Sequence, residues 1–291
     1  MRWAEISVEA GAASEDAVAN ILIEGGCGGT ALQGSDGATR VFGYLPVDDR
    51  LEARLQSIRD RVRSLPDLGL PLVSTEIGIK WVADDDWATA YRSFFRPIRL
   101  GRVVVRPSWE PEAPAEREGD VVVEIDPGMA FGTGHHETTR LCLMALQDHV
   151  RCGETVLDVG TGSGILAIAA AKLGAARVVG IDIDPVAARI AAENVERNGL
   201  AGVIAILTGD SPRVFDGIAD IVLANIVPDV IIAMAADLCS KVRPGGKLIT
   251  SGIITERAED LRATLESLGL ATIEQRVEGE WVALVSEASD A

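Results

Sequence analysis

Within residues 3–8, positions 4–8 alternate apolar and polar side chains with a period of two, placing Ala4, Ile6 and Val8 on one side and Glu5 and Ser7 on the other. That period predicts a β-strand. Residues 15–23 change to helical spacing and end at Gly25 and Gly26. Strands are predicted over 29–33 and 39–46, the second entered from a Ser35, Asp36, Gly37 turn. A charged amphipathic helix follows over 49–65, then a further strand over 73–81. The order β-α-β-β-α-β is that of a ferredoxin-like sandwich. It carries no catalytic constellation, so residues 1–82 are expected to form a separate recognition domain.

A linker follows over 83–97. Asp84, Asp85 and Asp86 suit the positive end of a helix running through Tyr91, Phe94 and Phe95. The Pro- and Glu-rich stretch 107–119 predicts a loop before a strand over 121–125. From Thr155 onward apolar runs, glycine turns and helical runs alternate, the signature of a doubly wound parallel sheet in a domain spanning 98–291.

The chain of 291 residues has length for two domains, and its 47% apolar content can fill their cores. A net charge of −17 argues against direct nucleic-acid binding and fits a basic partner. Residues 1–11 hold early acids and no long apolar run, so no signal peptide is expected there. The longest apolar stretch, 221–238, is interrupted by Asn225, Pro228, Asp229 and Asp237, which excludes a membrane span. Cys27, Cys142, Cys152 and Cys239 show no paired spacing and read as buried thiols of a cytoplasmic protein.

Chemistry concentrates after residue 125. VLDVGTGSG at 156–164 runs from an apolar strand into a glycine turn and then an alanine-rich helix. Such a turn lets a ligand approach the backbone closely. The next strand ends in GIDIDP at 180–185, where Asp182 can hydrogen-bond both hydroxyls of an adenosine ribose. These two features suit NAD as well as S-adenosylmethionine. Asp158, just before the turn, is expected to face the amino-acid end of S-adenosylmethionine. Together with LTGD at 207–210, DIVLANI at 220–226 and RPGGKL at 243–248, it makes this part resemble the class I methyltransferases.

One segment narrows the resemblance. DPGMAFGTGHHETT at 126–139 precedes a helix predicted over 141–147, and Thr138 and Thr139 can cap that helix while touching a ligand. With residues 81–95 and GEW at 279–281, it resembles bacterial ribosomal-protein methyltransferases of the PrmA type. The likeness covers the chain from Trp81 on, and the N-terminal domain matches in architecture only. It implies a Rossmann-like methyltransferase that moves methyl groups from S-adenosylmethionine to lysine side-chain or N-terminal amines of ribosomal protein L11. It also implies that Thr139, Gly160, Asp182 and Asn225 bind the cofactor. Many members carry threonine and proline where this chain has His135 and Glu137.

On that reading Asn225, with the Ile226 carbonyl, is expected to accept hydrogen bonds from the amine and aim its lone pair. His135 and His136 are adjacent and lack a nearby acid or cysteine at ligand spacing, so they are expected to line the site and hold no metal. His149 is expected at a helix end with no catalytic part. Three other readings remain: a class I methyltransferase for another protein or a small-molecule amine, a non-catalytic scaffold, and an NAD-dependent oxidoreductase.

Overall fold

The computed structural model describes residues 2–11, 14–27, 30–35, 38–83, 97–110, 117–126, 134 and 136–289. The helix expected after Asp84, His135 and most of the 126–139 segment lie outside these. The chain divides into two compact units, Met1–Phe95 and Arg96–Ala291.

In the first unit β1 (Arg2–Ala10), α1 (Glu15–Glu24), β2 (Thr30–Ser35), β3 (Ala38–Pro46), α2 (Leu51–Ser64) and β4 (Gly78–Ala83) follow in order. The strands pair antiparallel as β2-β3-β1-β4, the ferredoxin-like arrangement. One face of β1 contributes Ala4, Ile6 and Val8 to a core closed by Val18, Leu22, Leu55 and Ile58 of the helices. The other face buries Trp3, Phe42 and Tyr44 around Glu5, whose carboxylate accepts from Tyr44 Oη and Arg40 at 3.0 Å each. A buried carboxylate so paired escapes the cost of an unsatisfied charge.

The strand expected over 73–81 starts five residues later. Ladder pairing begins only at Gly78 opposite Ser7; before it, Leu72 forms an isolated antiparallel bridge with Ala10, and Val73 and Ser74 both donate to Glu9 O. The two stretches do not join into one ladder, because exposure stops alternating at Thr75 and Glu76.

In the second unit β5 (Ile98–Leu100), β6 (Val103–Arg106) and β7 (Val121–Glu124) form a three-stranded sheet in that order. The helix α3 (Glu137–His149) leads into β8 (Thr155–Val159), α4 (Ile165–Lys172), β9 (Arg177–Asp182), α5 (Pro185–Arg197), β10 (Ile204–Thr208) and β11 (Ala219–Asn225). Then come α6 (Pro228–Ala233), α7 (Ala235–Cys239), β12 (Val242–Ile254), α8 (Ala258–Ser267), β13 (Leu270–Glu278) and β14 (Trp281–Ala288).

The large sheet has order β10-β9-β8-β11-β12-β14-β13, parallel through β12, with β14 inserted antiparallel between β12 and β13. Its order reverses between β8 and its neighbours, so the carboxyl ends of β8, β9 and β11 flank the crevice where open α/β sheets bind ligands. Helix α4 is buried from Ile165 to Ala170, consistent with its unbroken Ile-Leu-Ala composition, and packs with Val103, Val123 and Leu143 in one core. No helix among the described residues is long and apolar enough to cross a membrane. Of the four cysteines expected to be buried, Cys27 and Cys142 are, Cys239 is partly so, and Cys152 is exposed in the turn after α3.

Candidate functional site

Strand register collects the chemistry on one face. Asp158 of β8 is paired with Leu223 of β11 and Gly180 of β9, so Asn225 and Asp182, each two residues further on, share its side. Asn225 is paired in turn with Ser251 of β12. Helix α3 lies over this face, bringing Thr139 Oγ1 within 3.5 Å of Asn225 Nδ2, the outer limit of a hydrogen bond.

The glycine turn is built for close approach. Gly160 has φ 76°, and a Cβ there would lie 2.3 Å from Ile226 Cγ2. Gly160 N and Thr161 N both donate to Ile181 O, so the turn folds back onto β9. Asp182 Oδ2 accepts from Gly162 N at 2.8 Å and Oδ1 from Asp184 N at 2.9 Å. Each oxygen keeps a second lone pair, and the partly exposed carboxylate is free to take two hydroxyl donors. Ile226 is gripped from the other side as well: a Cβ on Gly252, which has φ 83°, would meet Ile226 O at 2.4 Å without room to move. Sequence reasoning passed over Gly252. Its only signal is a glycine within a long apolar strand, which marks a bulge or close backbone approach.

Among the described residues the buried Asn225 Oδ1 has no protein donor. Asp158 Oδ2 accepts from Thr161 Oγ1 at 2.7 Å, and the carboxylate also takes a backbone hydrogen bond from Ala167. Asp158, expected to face a ligand, is only 1% exposed, with the turn's own threonine closed over it. Burial is the largest influence on this carboxyl and pushes it up to about 6; the Thr161 hydrogen bond opposes the shift and the charge of Asp182 adds to it.

The start of α3 differs from expectation. The helix begins at Glu137, four residues before the expected Leu141, and its cap is His136, whose Nδ1 accepts from Thr138 N at 3.3 Å. Thr138 and Thr139 therefore lie within the first turn and are buried, so neither is the cap. The His136 ring meets Trp281 edge-on, with centroids 4.9 Å apart. Glu137 and Glu278 both accept from Arg140, at 3.0 and 2.6 Å, so the β13–β14 turn holds the same helix end. His149 closes the helix and pairs with Glu274 at 2.7 Å.

The face offers neutral acceptors at Asn225 and the Ile226 carbonyl, a partly exposed carboxylate at Asp182 and a buried one at Asp158. That set suits a cationic adenosyl ligand and an amine.

Known proteins bear on this geometry. The family model described as ribosomal protein L11 methyltransferase (PrmA) matches residues 2–289. The N-terminal domain is thus similar in sequence too, correcting the expectation of an architectural match only. A relative from Pelotomaculum thermopropionicum named ribosomal protein L11 methyltransferase is 44% identical over 98% of this chain and 99% of its own. One of the same name from Geobacter metallireducens is 42% identical, covering 98% of each. A solved ribosomal protein L11 methylase from Lactobacillus delbrueckii subsp. bulgaricus superposes with TM-score 0.61 and 31% identity, covering 67% of this chain and 100% of its own.

Proposed function

The chain belongs to the ribosomal protein L11 methyltransferase family and is a methyltransferase using S-adenosylmethionine; from that premise we propose that it methylates lysine side-chain or N-terminal amines of ribosomal protein L11. The observation that carries the reading is Asn225 Oδ1, buried and without a donor among the described residues, on the face that also holds the carboxylates of Asp158 and Asp182. Unpaired buried acceptors cost free energy unless a ligand supplies donors or positive charge.

When bound, S-adenosylmethionine supplies an electrophilic methyl group on a sulfonium. Asp182 is assigned to its ribose hydroxyls, the Gly160 backbone to its close approach, and Thr139 and Asn225 to its methionyl end. Asn225 Oδ1 and the Ile226 carbonyl accept from the acceptor amine. Both are neutral, so they hold a neutral amine without favouring its protonated form. A lysine amine starts near pKa ~10.4 and an α-amine near ~8, and desolvation lowers both. Holding donor and acceptor in line contributes several kcal/mol, and no covalent step by the protein is needed.

Residues 1–82 are assigned to recognition of the protein substrate, with residues 83–97 as connector, and the reaction to the cytoplasm. The excess of 44 acidic over 27 basic side chains favours encounter with a basic ribosomal protein. On adding L11, amide exchange is expected to slow within residues 1–82; slowing confined to residues beyond 97 would remove the recognition role.

The intact mass of L11 incubated with enzyme and S-adenosylmethionine tests the acceptor. Gains in whole methyl increments are expected, and fragmentation then locates the amines. An unchanged mass, with cofactor binding seen by calorimetry, overturns L11 as substrate and points to another protein or a small-molecule amine.

A further inference from the structure

The free edge of β7 is paired by two side chains of another element. Ile125 N donates to Arg106 O at 2.8 Å on the β6 side, while the groups of Glu124 and Asp126 point the other way. There Asn194 Oδ1 accepts from Asp126 N at 3.1 Å and Asn194 Nδ2 donates to Asp126 O at 3.2 Å. Asn198 repeats the pattern: Oδ1 accepts from Glu124 N at 3.0 Å and Nδ2 donates to Glu124 O at 2.6 Å.

Each amide thus stands in for the peptide group of a missing strand. The spacing permits it, because four residues of helix rise about 6 Å and two residues of strand about 6.6 Å.

The two rungs are not equivalent. Asn194 is fully buried and its Nδ2 also donates to Ser163 O, inside the glycine turn, at 2.9 Å. Asp126, the residue it holds, is fixed by its carboxylate as well, to Ser108 N and Oγ at 3.0 and 2.8 Å and to Arg197 at 3.1 Å. Among the described residues the Asn198 side chain bonds to Glu124 and to the carbonyl of Asn194.

We propose that Asn194 is a positioning residue for the cofactor site: its single amide sets the end of β7 at Asp126 against the glycine turn at Ser163, whereas Asn198 serves only to dock the strand. Helix α5 begins at Pro185, three residues after Asp182 at the tip of β9, so the ribose acid lies just before one end of the helix and this clamp near the other.

The inference rests on the cofactor part of the function above and not on the acceptor. The test compares Asn194→Ala and Asn198→Ala in the full chain by melting temperature, calorimetric affinity for S-adenosylhomocysteine, and kcat and KM. Both variants should melt lower. Asn194→Ala alone should also weaken S-adenosylhomocysteine binding and reduce kcat/KM by roughly tenfold or more, since sub-ångström misplacement is costly at a reacting centre. Should Asn194→Ala fail to fold, Asn194→Ser, which keeps a donor, gives the graded measurement. Equal melting losses with parental affinity in both variants would overturn the positioning role. Failure of L11 as acceptor leaves the affinity measurement unaffected, so the two conclusions fail separately.

Discussion

Asn225→Ala is expected to lower kcat by roughly a hundredfold or more while S-adenosylhomocysteine affinity changes far less, the scale on which loss of a preorganised polar group acts. The side chain ends β11 with Oδ1 buried and without a donor among the described residues, and Nδ2 turned to Thr139 Oγ1. The next residue, Ile226, cannot drift, because Gly160 and Gly252 close on it from two sides. Alanine would leave the Ile226 carbonyl as sole acceptor, and the amine lone pair would no longer be aimed. Asn225→Asp separates aiming from charge. It keeps an acceptor at the same place, yet a carboxylate there would favour the ammonium form, which has no lone pair. Its turnover should fall near neutral pH and recover as the pH rises, while Asn225→Ala stays slow throughout. Single-turnover rates at saturating cofactor across pH decide this; parental turnover in Asn225→Ala rules the role out.

The parts of this protein legible in its sequence are those where local pattern and tertiary demand agree. The run from Thr155 to Asn225 reads correctly because each parallel strand is a short apolar block closed by glycine, an acid or asparagine, and the helices between them are longer and alanine-rich. Asp182 was legible for the same reason, sitting where a strand tip meets a helix start. The β5–β6 pair was not, since strands of three and four residues are too short to show a period. The early start of α3 was hidden because Thr138 and Thr139 are good caps by type, whereas the observed cap depends on His136 being held by Trp281, which is 145 positions away in sequence. Asn194 and Asn198 left a trace, two asparagines four apart near a helix end, but their partner strand lies some seventy residues earlier. Asp158 was found by position, and only the fold reveals that Thr161 closes over it.

That burial leads to the second large effect: Asp158→Asn is expected to stabilise the cofactor-free protein near pH 7.5 and to weaken S-adenosylmethionine binding at the same pH. The carboxyl rises from 3.8 to about 6 on folding, so its contribution to stability is fully present below about pH 4 and is lost as the pH climbs through about 6. Two pKa units correspond to about 3 kcal/mol of strain carried by the ionised form above that range. Among the described residues the groups around it supply no cation: Thr161 and the Ala167 backbone give hydrogen bonds, Asp182 adds negative charge, and Cys142 on α3 is a buried neutral thiol. A ligand bearing an ammonium and a sulfonium is what relieves the ionised carboxylate, acting through a low-dielectric gap. Affinity of the parent for S-adenosylmethionine should therefore rise with pH through about 6, more steeply than for S-adenosylhomocysteine, which lacks the sulfonium charge. In Asp158→Asn both dependences should flatten. Melting curves and calorimetry at pH 5 and 7.5 for the two ligands make the comparison. A lower melting temperature of the variant at pH 7.5 without ligand, or undiminished affinity, would show that the buried charge has another use.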